Sequence, residues 1–364
     1  MEKESNSQSK HVVRSHVFSG HVYMFFAFDI GEDVNFDKIK QIKNCVIQPA
    51  VLAKFFKNYH TPFTIKLPVE EKSLHCVDMK IHQFGAISIT YKVPVSNTFD
   101  NLKTQLIEID EEYQSRSIND ALAIYKRIKT SVSKPNFFHL RTYYTLIQID
   151  CDPDFNGSQI KEYFSHEIAA LLRFETQILS EHQKREILIS SAGYFKKDLI
   201  IIDTEAAFIY DPQYTELLDF FEFGNIQQLE LQYFDKLLDK QMTAIYEDKT
   251  RKLPILAYLP FIGSHYFDPV GELTKLKVDI SVITERLENS IKLVGETYFS
   301  EIYDHIVLNL DLKNWKDSIE KKFKIIKEVQ YDYQNKIDTT REDILTTLII
   351  ILIMIELIVA IIKH

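Results

Sequence analysis

The sequence predicts an α+β fold: a mixed sheet-and-helix globular part, followed by a long antiparallel helical hairpin and a C-terminal transmembrane helix. Three observations predict it. Short aromatic and β-branched runs end in Asp or Gly, long stretches between them place apolar residues three and four apart, and the chain closes on an unbroken apolar run.

Residues 1–16 are polar and carry Glu2 and Glu4, so they lack the apolar stretch of a signal peptide and read as a disordered tail. The run 22–30, VYMFFAFDI, reads as a buried strand entering a turn. Residues 77–91 read as a second strand, interrupted near Gly85 and closed by Pro94. From Phe99 to about Lys129 the positions Leu102, Leu106, Ile109 and Tyr113 follow helical spacing, as Ile118, Leu122 and Ile128 do after a slip. Strand character returns at 143–150, YYTLIQID, before a helix through Ile168, Leu171, Leu172, Phe174 and Ile178. LIIID at 199–203 and AAFIYD at 206–211 read as a tight hairpin, with a helix over 214–246 behind it.

One internal offset recurs. A shift of 121 residues lays Tyr23, Asp29, Asp33, Asn35, Ile39 and Lys40 on Tyr144, Asp150, Asp154, Asn156, Ile160 and Lys161. The same shift later lays Ile81 and Ala86 on Ile202 and Ala207. It raises the possibility of a duplicated strand, strand, helix unit, and with it a single pseudo-symmetric globular part over 17–260.

After a Gly/Pro-punctuated connector at 260–271, an apolar stripe runs through Ile280, Ile283, Leu287, Ile291, Val294, Tyr298, Ile302 and Ile306. Asn309 and Asp311 break it, and a second stripe follows through Trp315, Ile319, Phe323, Ile326, Val329, Tyr333 and Ile337. The two suit a helical hairpin or coiled-coil arm over 261–343.

The 19 residues 344–362, opening on Ile344 and closing on Ile362, include 14 Ile, Leu or Val. At about 1.5 Å per residue they span roughly 28 Å, close to a hydrocarbon core. Glu356 is the only charge among them. The apolar side chains together contribute about −6 kcal/mol to insertion, more than the roughly +2.5 to +3.5 kcal/mol that one acidic residue costs near the middle. A single-pass tail anchor is therefore expected, with Glu356 facing a partner helix or a neighbouring copy. Lys336 and Arg341 before the span fit a body on the cytoplasmic or matrix side.

In the C-terminal third, Val294-Gly295-Glu296-Thr297-Tyr298-Phe299 is followed by Leu310-Asp311-Leu312-Lys313-Asn314-Trp315, then Tyr331 to Tyr333, Arg341 and the tail LIIILIMIEL at 348–357. This order resembles the end of the required-for-meiotic-nuclear-division family, a domain of unknown function. The resemblance implies a membrane-anchored, non-enzymatic protein, at a bacterial inner membrane or, in a eukaryote, the mitochondrial inner membrane.

Composition narrows the chemistry. A formal charge of −9, with Lys and Glu interspersed, gives no footprint for nucleic acid. Three widely spaced cysteines, Cys45, Cys76 and Cys151, fit neither a disulfide framework nor a zinc site. Nine glycines supply no phosphate loop, and 190–193 lacks the nucleophile elbow of a serine hydrolase. No cofactor is expected. The best candidate for chemistry is the acidic group Asp203, Glu205 and Asp211 about the 199–211 hairpin, where carboxylates could bind a cation or serve as acid and base, although turns favour Asp for local hydrogen bonds. The expected function is a membrane-anchored scaffold with a protein partner or a homo-oligomeric state. Two alternatives stand beside it: a tail-anchored coiled-coil tethering or fusion factor, and a membrane-bound metal-dependent hydrolase.

Overall fold

The computed structural model describes residues 15–43, 45–50, 62–66, 74–137, 140–250 and 297–362. They fall in two compact units, one comprising residues up to 233 together with 297–313, the other 234–250 together with 314–362.

The first unit is built on a mixed sheet. Its strands are β1 (Phe18–Asp29), β2 (Val46–Pro49), β3 (Phe63–Lys66), β4 (Cys76–His82), β5 (Ala86–Asn97), β6 (Arg141–Ile149), β7 (Ser191–Ala192), β8 (Leu199–Ile202) and β9 (Ala206–Tyr210). They lie in the order β2-β3-β4-β5-β1-β6-β9-β8-β7. The aromatic strand β1 sits at the centre, antiparallel to β5 on one side and to β6 on the other. Its side chains alternate between two apolar layers, which is why nearly all of it is apolar. Val22, Met24, Phe26 and Phe28 face one core. Ala27 faces the opposite one, with Ala86, Ile226 and Leu229.

The first core is closed by α2 (Phe99–Ile128), α3 (Gly157–Tyr163), α4 (Ser165–Leu172) and α5 (Glu181–Ile189), all later in the chain than the short α1 (Phe36–Lys40). The opposite face is covered by α6 (Thr215–Thr250), whose Phe221 ring stacks on Tyr144 at 5.5 Å. Asn225 of this helix straddles the β1–β6 seam. Its side-chain amide donates to the Phe25 carbonyl at 3.1 Å, and the backbone carbonyl of Asn225 accepts from Thr142 Oγ1 at 3.1 Å. A further helix, α7 (Thr297–Asn309), packs on α6: Phe299 stacks on Phe220, and Tyr303 donates to Gln227 at 2.9 Å. The helices come close at Gly224, where an added Cβ would lie 2.6 Å from Ile306 Cγ2. Ile302 and Ile306, from the first of the two stripes, are buried here.

Leu310 and Asp311, the latter left-handed at φ 58°, join α7 to α8 (Leu312–Ile362). In the second unit, Ile319 and Ile326 of α8 are buried, and Lys322 bridges Asp235 and Asp239 of α6 at 2.8 and 2.7 Å. Those two carboxylates outweigh its partial desolvation and raise its pKa. The last 25 residues of α8, Asp338–Ile362, form an apolar helix long enough to cross a membrane, and none of it is buried. The α+β class and this C-terminal helix are as the sequence predicts.

Three readings change. Pro94 does not end its strand: β5 runs on to Asn97, because β4 pairs with it only as far as Tyr91 and the missing N–H meets no strand there. The helix through Ile168 stops at Leu172, with Phe174 left-handed at φ 53° and Ile178 exposed beyond it. The possible duplication survives only locally. Asn35 and Asn156, 121 positions apart, both cap helices, but β5 is antiparallel to β1 whereas β9 is parallel to β6, so the unit is not pseudo-symmetric. The connector at 260–271 and the stripe at 280–296 lie outside the described residues, as does the tail up to residue 14.

Candidate functional site

The acidic group does not assemble. Asp203 and Asp211 flank β9 at opposite ends, and five strand residues at about 3.3 Å each keep their side chains apart. Asp203 begins the β8–β9 turn, where its amide donates to the Ala206 carbonyl and its carboxylate takes Arg173 Nη2 at 3.0 Å. Burial raises its pKa in spite of that arginine. Glu205 is exposed in the same turn and contributes its backbone carbonyl to Thr145. At the other end, Asp211 accepts from Gln213 N at 2.7 Å and from Tyr298 OH at 3.0 Å. Burial and this carboxylate hold the Tyr298 hydroxyl well above the ordinary tyrosine range.

Asp211 nevertheless occupies a notable place in the topology. Strands β6 and β9 are parallel neighbours, and the chain leaves β6 towards the α3 side of the sheet but leaves β9 towards the α6 side. The carboxyl ends of such a pair form the crevice where open α/β sheets bind ligands. Here the register Gln148↔Ile209 sets Asp150 beside Asp211, with Cys151 and Asp198 close by. Partial burial and the charges of Asp211, Asp198 and Asp150 push the Cys151 thiol up to about 11. At neutral pH it is a protonated thiol, a poor nucleophile and a poor metal ligand. A phosphate would meet carboxylates in this crevice, and the connections 150–156 and 211–214 contain no glycine of the kind that lets a backbone cradle one.

The carboxylates there are engaged in fixing loops. Asp150 takes Gln148 Nε2, Asp198 takes Phe195 N, and Asp152 takes Asp154 N and His16 Nε2, at distances of 2.8 to 2.9 Å. Among the described residues no group of three His, Cys, Asp or Glu side chains is placed to hold a metal ion.

A second constellation lies under α6, on the polar face of the β4–β5 hairpin. Lys80 Nζ donates to Glu222 Oε2 at 2.5 Å and lies 3.2 Å from Asp78 Oδ2. Ser88 Oγ donates to Glu222 Oε1 at 3.0 Å and lies 3.0 Å from His82 Nε2. All four of Lys80, His82, Ser88 and Glu222 are buried. Burial works against the Lys80 charge, but Glu222 and Asp78 outweigh it and raise its pKa above the ordinary lysine value. Burial and the nearby Lys80 drive His82 down to about 3, so its ring is neutral.

Because the Ser88 proton goes to Glu222, His82 Nε2 must carry a hydrogen and donate to Ser88. A nucleophilic serine needs the reverse, with the imidazole accepting its proton. The network pins α6 to the hairpin. Residues 142 apart carry its central ion pair, so sequence spacing could not reveal it. The visible signal was the polar alternation Asp78, Lys80, His82 and Ser88, Thr90, Lys92 along the two strands.

Glu356 lies on the apolar part of α8. Its side chain is exposed, as is the rest of the helix from Leu345 to Ile362.

Comparison with known proteins agrees with an uncharacterised family. A family model described as the N-terminal domain of uncharacterized protein MJ0711 matches residues 19–216, more than half of the chain. The uncharacterized protein MJ0711 of Methanocaldococcus jannaschii is 28% identical over 261 residues, covering 71% of this chain and 74% of the relative. No solved structure matches. The resemblance to the required-for-meiotic-nuclear-division family concerns the C-terminal third, beyond the matched residues, and receives no specific support. On this match the chain belongs to the family defined by the N-terminal domain of uncharacterized protein MJ0711.

Proposed function

We propose that this chain is a membrane-anchored, non-enzymatic interaction protein that carries its α+β body at the cytoplasmic face of a membrane. The observation that supports this most directly is α8. The helix buries Ile319 and Ile326 within the chain, then continues into 25 residues whose large apolar side chains are exposed from Leu345 onward. In water such a surface would be far larger than the apolar patches that soluble monomers expose, whereas in a bilayer it is satisfied. The C-terminal resemblance to the required-for-meiotic-nuclear-division family agrees with an anchored scaffold. The burial of Ile319 and Ile326 within one chain weighs against a coiled-coil tether, which would need that stripe free.

The test is extraction. The full chain should remain in the membrane pellet through alkaline carbonate, and a chain ending before Glu342 should be soluble and monodisperse. Full-length protein in the carbonate supernatant would overturn the reading. Crosslinking in native membranes followed by identification of captured proteins tests the scaffold part, and a metal-dependent hydrolase screen on the same preparation tests the absence of catalysis.

A further inference from the structure

We propose that Ser191 is a reactive serine that accepts an acyl group from an activated carboxylic ester, with Lys161 as its base. This goes beyond the reading above. It is a single transfer onto the chain without turnover, and it does not depend on the anchor.

Ser191 opens β7, the last strand of the sheet, and is partly exposed. Its hydroxyl lies 2.6 Å from Lys161 Nζ, which also donates to the Leu188 carbonyl at 3.2 Å. Three elements meet here: α3 brings Lys161, the last turn of α5 brings Leu188, and the strand that follows brings Ser191. Partial burial lowers the Lys161 pKa, and among the described residues no carboxylate offsets that loss.

A lysine that only caps a helix end needs only to donate. Lys161 has a second partner that can give a proton back. When the ammonium loses one proton, an N–H still serves the Leu188 carbonyl and the lone pair is free for the Ser191 hydroxyl. A nucleophilic serine requires that direction, and Ser88 lacks it because its proton is committed to Glu222.

The strand meets the second requirement of acyl transfer. Ile202 N donates to the Ser190 carbonyl at 3.0 Å, which makes these two a hydrogen-bonded pair of the β7–β8 ladder. The next pair, Ser191 and Ile201, is therefore non-hydrogen-bonded, and the Ser191 N–H points away from β8 on the outer side of the sheet. A nucleophile's own amide is one of the donors that hold the oxyanion in the serine-protease template. In the step, Ser191 Oγ bonds to the ester carbonyl carbon and its proton passes to Lys161 Nζ. The bond from that carbon to the alcohol oxygen then breaks, and Lys161 gives the proton to the departing oxygen. An acyl ester on Ser191 and a free alcohol result.

The test treats the full chain in detergent with p-nitrophenyl acetate, quenches in acid and locates acetyl groups by mass spectrometry. Ser191 should be acetylated at least about tenfold faster than Ser158, an exposed serine on the same helix as Lys161. Lys161→Met and Lys161→Arg should each lower the Ser191 rate about tenfold or more. Arginine keeps the cation and a donor for Leu188 but accepts no proton, so Lys161→Arg should unfold at the parent's temperature while losing the reaction. A role confined to holding the end of α5 would instead be rescued by arginine in both measurements. Equal rates at Ser191 and Ser158, acetyl on Lys161 in place of Ser191, or a Lys161→Arg protein that reacts like the parent would overturn the proposal. Nitrophenol release that continues after Ser191 is saturated would uphold the reactive serine and overturn the non-enzymatic reading instead.

Discussion

Strand β5 runs antiparallel to β1, whereas β9, which takes the matching place beside β6, runs parallel to it. The helices that follow also part company: α2 closes the core on one face of the sheet and α6 covers the other. Yet the order of parts is alike in both halves, with a strand, a short capped helix, a hairpin and a long helix. Residues repeated at the 121-residue offset do different work. Asp29 turns its carboxylate onto the amide of Gly31, while Asp150 takes the side-chain amide of Gln148. The Asn35 and Asn156 caps, by contrast, do the same thing. Identities at a fixed offset thus tracked signals that act over three or four residues. Strand direction depends on where each connection crosses the sheet, and no such short signal encodes it.

The halves also differ in how their hairpins are held, and this gives the largest expected effect. The β4–β5 hairpin is pinned by the buried Lys80–Glu222 pair, with side chains 7% and 11% exposed, while the β8–β9 hairpin uses Arg173 and Asp203 at 39% and 6%. Glu222→Ala should leave a buried ammonium with only the partly exposed Asp78 beside it, and destabilise the first unit by about 3–5 kcal/mol. Arg173→Ala should cost about 1 kcal/mol, because half of that pair faces water. Thermal unfolding of the two variants in detergent checks this, and equal losses would erase the distinction.

The turns give a smaller contrast. Gly85 closes the β4–β5 turn at φ +94°, where an added Cβ would lie 2.1 Å from the carbonyl oxygens of Glu32 and Gly31. The corresponding β8–β9 turn is made by Thr204 and Glu205, without glycine. Gly85→Ala should cost about 2–3 kcal/mol through backbone strain and overlap, and Glu205→Ala less than about 0.5 kcal/mol. A Gly85→Ala protein that melts with the parent would show that the turn can relax.

The smallest effect concerns a local feature that the halves share. Asn156 is part of a full capping box with Gln159, whereas Asn35 only accepts from the Lys38 amide. Asn156→Ala should cost about 1–2 kcal/mol and Asn35→Ala about 0.5–1 kcal/mol. Amide exchange at Gln159 and Lys38 reads each cap directly, and faster exchange in both variants by the same factor would make the caps equivalent.

Central strands were legible in the sequence because strands covered on both faces are continuously apolar, as at 22–28 and 199–202. Strands β2, β3 and β7 were not: four, four and two residues at or next to the sheet's edges need no apolar run. The C-terminal apolar helix was legible because composition within 19 residues marks it. The acidic group looked like one site because Asp203, Glu205 and Asp211 are neighbours in the chain, but a strand between them carries the outer two to opposite ends. The reverse holds for Lys80 and Glu222, which meet only because α6 returns across the hairpin.

The position of α6 also bears on where this family's domain ends. The recognisable match stops at residue 216, the second residue of α6, yet the helix does its covering later, through Phe221, Asn225, Ile226 and Leu229. A fragment cut at that boundary would leave Ala27, Ala86 and Tyr144 facing water and the β1–β6 seam without its Asn225 clasp. The stretch that the family model matches is therefore shorter than the stretch that covers the sheet. Any attempt to study the domain in isolation should carry the chain at least through Leu229.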